Sequence, residues 1–270
     1  MMKNATFAAV MNQEENIFNR TTLLVGNEAM KRISEIRVII FGIGGVGSWV
    51  AEGLVRSGVK NLTIVDSDRI SITNVNRQSP ATTKTIGNVK VEVMKSRLLD
   101  INPQAEVEAI EDIYSEETSA RFHLEEYDYV IDAIDSLSCK AALILHATSL
   151  PRHVKFFSSM GAALKIDCSQ IRVDEFWNVK GCPLARALRQ RFKRTKQLPR
   201  RKFKVVYSPE VLPNLGEALE PVGDVEQTVD WNARKAQING SLVHITAVFG
   251  FTIVGEVMKD IYQNFGLKSD

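Results

Sequence analysis

The chain alternates short apolar runs with longer segments in which apolar residues recur at helical spacing. The short runs are rich in valine and isoleucine, and several end at a glycine or an aspartate. Runs of this kind predict parallel strands that are buried on both faces. We expect such strands at 37–41, 61–65, 106–110, 129–133 and 156–159.

Segments with helical periodicity lie between these strands. They predict helices at 17–35, 49–56, 89–100 and 140–149, and a buried closing helix at 241–262. Regular strand–helix alternation up to residue 160 favours an α/β fold of the Rossmann-like type. We expect one domain over 1–270, with a doubly wound, mainly parallel sheet and helices on both faces.

The pattern changes after residue 175. Further strands are predicted at 170–173 and 203–207, and between them the chain becomes strongly basic. From Arg186 to Lys204 there are ten lysines or arginines and no acid, although the whole chain has a net charge of only +2. We interpret 175–235 as a mobile basic insertion whose charge suits phosphate groups.

Composition excludes several classes of protein. Hydrophobic residues make up 44% of the 270, but no apolar run is long enough to span a bilayer. The first 20 residues lack the pattern of a secretion signal. Three scattered cysteines argue for a reducing compartment, and the lack of a Cys-x-x-Cys pair argues against zinc. We expect a cytoplasmic protein with no membrane partner.

A glycine-rich motif follows the first strand directly. It reads Gly42-Ile43-Gly44-Gly45-Val46-Gly47 and opens the next predicted helix. Glycines allow a tight turn and close approach of the backbone, and the helix N-terminus attracts phosphate. By itself the motif fits NAD, FAD, S-adenosylmethionine or ATP.

Charged residues downstream favour ATP among these ligands. Asp66 ends the second strand, where an acid binds ribose hydroxyls in this fold. Two cations, Arg77 and Lys90, follow it. A departing pyrophosphate needs fixed positive charge, whereas hydride transfer does not. Asp135, at the end of the fourth strand, is a candidate ligand for Mg²⁺, which prefers carboxylates and phosphates; Asp132 ranks below it as a buried strand-end acid or helix cap.

These motifs together resemble the ubiquitin-activating-enzyme-like superfamily, which includes bacterial adenylyltransferases of molybdopterin and thiamine biosynthesis. The resemblance implies an ATP site in which Asp66 binds ribose, residues 73–77 and Lys90 contact phosphates, and Asp135 lies near Mg²⁺. The matching positions are Gly42, Gly44, Gly45, Gly47, Asp66, Asp68, Thr73, Asn74, Asn76, Arg77, Gln78, Lys90, Asp135 and Ser136. Arg20 matches an arginine that reaches the partner subunit's nucleotide, which implies a homodimer with composite sites. The expected catalytic residues are Arg20, Arg77, Lys90 and Asp135.

Further stretches are similar to the tRNA threonylcarbamoyladenosine dehydratase branch of this superfamily. They include Gly47-Ser48-Trp49, residues 130–136 and residues 246–251. The resemblance implies ATP-dependent cyclisation of threonylcarbamoyladenosine in tRNA through adenylation of its carboxylate. Sulfur- or electron-transfer proteins stay open as further partners.

The basic segment suits a tRNA substrate, because many nucleic-acid contacts go to phosphates. We expect contacts from Arg189, Lys193, Arg194, Arg200 and Arg201. The alternative is a solvated helix face whose opposite side packs inward through Leu184, Leu188 and Phe192. Both interpretations are compatible, because they use different sides of one helix.

Two other functions remain open from the sequence. The chain could adenylate the C-terminus of a ubiquitin-like or sulfur-carrier protein, using the same ATP site. Alternatively, it could bind a dinucleotide without adenylating anything, which the glycine motif alone permits.

Overall fold

The structure is a computed structural model that describes residues 17–216 and 239–266. Its first half follows the predicted alternation closely. After helices α1 (Asn19–Val25) and α2 (Asn27–Glu35) come β1 (Arg37–Phe41), α3 (Gly47–Arg56), β2 (Asn61–Val65), α4 (Lys90–Ile101), β3 (Glu106–Ile110), β4 (Tyr129–Asp132), α5 (Leu137–Ser149) and β5 (Lys155–Ser159). The second half contains β6 (Arg172–Glu175), α6 (Pro183–Thr195), β7 (Lys204–Tyr207) and α7 (Val243–Ile261).

Seven strands of the described chain form one sheet in the order β3-β2-β1-β4-β5-β7-β6. All neighbouring pairs are parallel except β6 and β7. The connections reverse direction between β1 and β4, since the chain first builds outward to β3 and then returns to the other side. This confirms the doubly wound α/β fold, in which ligands bind at such a reversal.

Buried apolar side chains fill both faces of the sheet. Along β1, Val38 and Ile40 pack under α2, α3, α4 and α7, whereas Ile39 and Phe41 face α5 and α6. Side chains of successive strand residues point to opposite faces, so a strand covered on both sides must be apolar throughout. This explains the uninterrupted apolar run that predicted the strand.

The predicted insertion at 175–235 requires a correction. Residues 183–207 form α6 and β7, and β7 pairs with β5 inside the sheet. Phe176, Leu188 and Phe192 are fully buried there. This part is therefore integral to the fold, because its apolar side chains complete one face of the sheet. The remainder of that prediction, 217–235, lies outside the described residues.

Helix α7 covers the helix that follows the glycine motif. Its apolar positions Phe249 and Ile253 are fully buried, as predicted for the closing helix. None of the helices in the two described ranges combines the length and the apolar character that a membrane span requires.

The contact between α3 and α7 is close enough to exclude a methyl group. A Cβ on Gly250 would lie 2.8 Å from Cβ of Trp49 and 2.9 Å from the carbonyl oxygen of Val46. Gly255, in the same helix, has nothing within 4 Å of the equivalent position. The two glycines therefore form a matched pair of test positions.

We expect Gly250→Ala to lower the free energy of unfolding by about 1–3 kcal/mol through overpacking. Gly255→Ala should raise it by up to about 1 kcal/mol, because alanine favours a helix over glycine. Urea unfolding followed by circular dichroism measures both. Equal changes in the two variants would contradict the close packing of α3 against α7.

Candidate functional site

A cavity of about 800 Å³ opens where β1, β2, β4 and β5 end. This is the edge at which the strand connections reverse. The predicted residues that line it are Gly42, Gly44, Gly45, Asp66, Asp68, Thr73, Arg77, Gln78, Lys90, Asp135 and Ser136. Segments separated by more than 90 positions in the chain therefore meet in one space.

The glycine loop is tight enough to require its terminal glycines. Gly42 has φ of +87°, and a Cβ there would approach the carbonyl oxygen of Ala133 to 2.7 Å. A Cβ on Gly47 would lie 1.8 Å from the carbonyl oxygen of Gly42. Gly47 does not line the cavity; it is buried at the start of α3 and lets the helix begin against the loop.

Asp66 ties this loop to the end of β2. One carboxylate oxygen accepts a hydrogen bond of 2.7 Å from the backbone N–H of Ile43, and the other accepts 2.9 Å from that of Asp68. The side chain of Asp66 is only 9% exposed, yet it lines the cavity. That this acid binds ribose stays a prediction.

Lys90 supports the two aspartates. Its amine lies 3.0 Å from a carboxylate oxygen of Asp66 and 3.0 Å from one of Asp68, and its side chain is 3% exposed. The sequence suggested a cation available to phosphate. In the structure much of its charge is balanced by these acids, and the lysine holds Asp66 in place; contact with phosphate stays a prediction.

Arg77 lies beside the glycine loop and within electrostatic reach of Asp135. Its guanidinium donates to the carbonyl oxygen of Thr73 at 2.7 Å and to Oδ1 of Asn76 at 2.9 Å. Partial burial lowers the pKa of Arg77, while the charge of Asp135 opposes that shift. Trp49 donates from its indole nitrogen to the Arg77 carbonyl at 3.0 Å, which fixes the segment to α3.

The amide side chains near Arg77 have different positions. Asn74 accepts a hydrogen bond from the N–H of Ser71 and caps a short turn, while Asn76 donates to the carbonyl of Ser241; neither lines the cavity. Gln78 does line it and is buried, and its Oε1 accepts no hydrogen bond from the described residues. A buried acceptor without a donor is a feature that a polar ligand can satisfy.

Asp132 forms a buried ion pair that the sequence did not reveal. Its carboxylate lies 2.8 Å from the amine of Lys140, and both side chains are fully buried. Ser158 donates to the same carboxylate at 2.6 Å, and Lys140 also donates to the carbonyl of Ile134 at 2.9 Å. Of the two interpretations of Asp132, a buried strand-end acid or a helix cap, the structure therefore supports the first. The pair holds the turn that leads to Asp135.

Other parts of the cavity wall carried no recognisable motif. After β3, Asp112, Ile113 and Tyr114 line it. Tyr114 is packed against Phe41 with ring centroids 5.0 Å apart, and its hydroxyl shares a 2.6 Å hydrogen bond with Nδ1 of His146. Burial raises the pKa of Tyr114. Its position directly after a strand of the sheet is the signal that could have indicated it.

Arg20 and the basic residues lie away from the cavity. Arg20 is exposed on α1. On and after α6, Lys193, Arg194 and Arg200 are exposed, whereas two others are held by the fold. Arg189 donates to the carbonyl of Phe176, and Arg201 donates to the carbonyls of residues 147, 151 and 154.

A doubly wound sheet with a glycine loop and an acid at the strand reversal defines a nucleotide-binding α/β protein. The model of the ThiF family matches residues 18–268, and the chain belongs to this family.

Relatives in this family cover nearly the whole chain. A tRNA threonylcarbamoyladenosine dehydratase of Bacillus subtilis is 35% identical over 253 residues, which cover 93% of this chain and 96% of the relative. One from Escherichia coli is 34% identical over 249 residues, covering 90% and 92%. The crystal structure of the E. coli tRNA N6-threonylcarbamoyladenosine dehydratase with ATP has 30% identity, covers 98% of each chain and superposes with a TM-score of 0.76.

We expect Lys140→Met to lower the free energy of unfolding by about 3–5 kcal/mol, because it leaves the charge of Asp132 buried without its partner. The double variant Asp132→Asn/Lys140→Met should regain much of that loss, since no unpaired charge is left. Urea unfolding of both variants measures the effect. A single variant as stable as the unaltered protein would contradict the ion pair.

Proposed function

We propose that this protein is an ATP-dependent tRNA threonylcarbamoyladenosine dehydratase, a ligase-type enzyme that forms an adenylate. The cavity at the strand reversal carries the proposal, because it gathers the glycine loop, Asp66, Arg77 and Asp135 in one space. Relatives with this printed activity match nearly full length, and a related E. coli enzyme was crystallised with ATP.

The nucleotide end of the cavity suits ATP. The Asp66 carboxylate is positioned for ribose hydroxyls, and the N-terminus of α3 with the glycine loop suits phosphates. Arg77 brings a guanidinium beside this loop, with its Cδ 3.5 Å from the Cβ position of Gly45. The unpaired Oε1 of buried Gln78 adds an acceptor for a donor group of the ligand.

The reaction follows from the chemistry of a carboxylate. A carboxylate is a poor electrophile because oxide is a poor leaving group. One of its oxygens attacks the α-phosphorus of ATP, the bond to pyrophosphate breaks, and an acyl-adenylate forms. A nucleophile of the same modified nucleoside then attacks the acyl carbon, closes a ring and releases AMP. Both reacting groups belong to one molecule, so proximity supplies much of the rate.

The protein stabilises negative charge that builds up on the departing pyrophosphate. Arg77, beside Gly45, and Lys90 are the two cations assigned to this task, and Lys90 also keeps Asp66 in place. No covalent bond to the enzyme is needed.

Mg²⁺ fits this site through Asp135, whose carboxylate belongs to the cavity wall. Among the residues that the structure describes, His, Cys, Asp and Glu do not gather in groups of three. Mg²⁺ typically uses one or two carboxylates with phosphate oxygens and water, so a single aspartate suffices. When bound, the ion neutralises phosphate charge.

The exposed side of α6 is the proposed tRNA contact. Lys193, Arg194 and Arg200 present positive charge to solvent, while Ala185, Leu188 and Phe192 pack inward. Arg189 and Arg201 belong to the same basic segment, and we propose that they contribute to tRNA binding through the positive electrostatic potential they add. Their guanidinium groups already donate hydrogen bonds to backbone carbonyls.

Self-association is the proposed role of α1. Leu23 and Leu24 on this short helix are each 80% exposed, which favours burial against another chain. In the proposed dimer, Arg20 of one subunit lies in the ATP site of the other. Each site of the homodimer then depends on both chains.

The test of the proposed function is direct. The protein is incubated with ATP, Mg²⁺ and tRNA that carries threonylcarbamoyladenosine, and the nucleosides are analysed by mass spectrometry. We expect the modified nucleoside to lose the mass of one water. Arg77→Ala should lower turnover by about 100-fold or more, because it removes charge stabilisation at the phosphates.

Arg37→Ala is the matched control, since Arg37 is exposed, begins β1 at the end remote from the cavity and does not line the cavity. It should keep full turnover. Unchanged tRNA under all ATP and Mg²⁺ concentrations would exclude the proposed function. Pyrophosphate exchange stimulated by a carrier protein, but not by tRNA, would instead favour a carrier-protein adenylyltransferase, and binding of NADH without ATP would exclude adenylation.

Mixing two inactive variants tests the composite site. Arg20→Ala and Arg77→Ala proteins are each expected to be nearly inactive alone. After subunit exchange, half of the dimers contain one chain of each kind, and such a dimer has one intact site. We expect recovery of about a quarter of the full activity. No recovery despite proven exchange would place Arg20 in its own subunit's site, and an Arg20→Ala protein that is active alone would place it outside the reaction.

A further inference from the structure

The cavity extends beyond the nucleotide motif to a second wall. The segment from Ser159 to Lys165 follows β5, and residues 182–184 begin α6; all of these line the same space. Because β5 pairs with β4, this wall begins one strand away from the turn that holds Asp135. The ATP site described above uses none of these residues.

Lys165 is the cation of this second wall. The residue is 4% exposed, and its amine donates a hydrogen bond to the backbone carbonyl of Glu210. The carboxylate of Glu210 is engaged elsewhere, since it accepts 2.9 Å and 3.0 Å bonds from the N–H groups of Ile166 and Asp167. Across the described ranges, the amine forms no ion pair with a carboxylate.

This arrangement leaves a buried positive charge with a neutral partner. An ammonium group has three donors, and lysine is almost never this buried unless its charge is paired. Burial lowers the pKa of Lys165, although nearby Cys182 and Glu210 oppose the shift. An anion that enters the cavity would supply a direct countercharge, which the Glu210 carboxylate does not provide because it is engaged by two backbone N–H groups.

The backbone next to Lys165 is held in an unfavourable conformation. Leu164 has φ of +61°, which is uncommon for a residue with a side chain. Its N–H donates to the carbonyl of Gly240 at 2.9 Å, and its carbonyl accepts from the N–H of Leu212 at 2.9 Å. Backbone strain that is held by surrounding hydrogen bonds is concentrated at functional sites. The strained conformation of Leu164 therefore holds Lys165 at the cavity wall.

We propose that Lys165 binds the carboxylate of the modified nucleoside before that carboxylate attacks ATP. This inference rests on the proposed function and names the residue that holds the group to be activated. The carboxylate carries a full negative charge until the adenylate forms. The contact with the ammonium group therefore favours the bound substrate and weakens once the acyl group has lost its charge.

Binding of this kind acts mainly on KM, because an interaction made in the ground state does not by itself raise kcat. We expect Lys165→Met to raise KM for the modified tRNA about tenfold or more, as expected for loss of a charge-assisted contact. Its kcat should change much less, and its affinity for ATP in calorimetry should stay within about twofold of the unaltered protein. Lys165→Arg, which keeps the charge, should restore much of the loss in KM.

A modified substrate provides an independent readout. Transfer RNA whose threonine carboxylate is a methyl ester cannot be adenylated, but it can compete for binding. The unaltered protein should bind the acid form about tenfold more tightly than the ester, and Lys165→Met should bind both equally. Lys165→Gln offers the same comparison if the methionine variant does not fold, because it still donates to the Glu210 carbonyl.

The outcomes separate this inference from the proposed function. Dehydration by the unaltered protein together with an unchanged KM in folded Lys165→Met would overturn the role of Lys165 alone. A parallel loss of ATP affinity would assign Lys165 to the nucleotide instead. If the unaltered protein does not dehydrate the tRNA, the proposed function fails, and an equal affinity for acid and ester also rejects the carboxylate contact.

Discussion

The carboxylate of Asp66 joins three parts of the chain that are distant in sequence. It holds the backbone of Ile43 in the glycine loop, the turn at Asp68, and the amine of Lys90 at the start of α4. A largely buried carboxylate needs donors of this kind to satisfy its oxygens. The shape of this end of the cavity therefore depends on this group, because the same carboxylate fixes the loop and lines the cavity.

The other side of the cavity depends on a second buried charge. Asp132 and Lys140 form an ion pair with no exposure, and Ser158 completes it from the next strand. Asp66 and Asp132 end β2 and β4, which flank β1 on either side. The two ion pairs thus fix the turns on both sides of the glycine loop.

Much of the site could be predicted because its residues follow strands whose apolar runs are unmistakable. The strands at 37–41, 61–65 and 106–110 have the predicted bounds; the glycine loop and Asp66 stand directly after two of them, and Asp135 is three residues beyond the end of β4. These residues meet in the structure because the parallel strands that precede them end at one edge of the sheet. The segment 183–207 is predicted to be part of an insertion because it is strongly basic. In the structure it belongs to the fold, since its side chains Leu188, Phe192 and Val205 are buried in the core.

Short runs of residues encode the class of fold, the glycine loop and the charged side chains around it, so these features can be read from the amino-acid sequence. The pairing of those charges follows from the tertiary structure. Lys90 is held by Asp66 and Asp68, and Asp132 by Lys140, whereas Lys165 has a neutral carbonyl as its partner. Pairing depends on distances between segments far apart in the chain, and no local pattern records those distances.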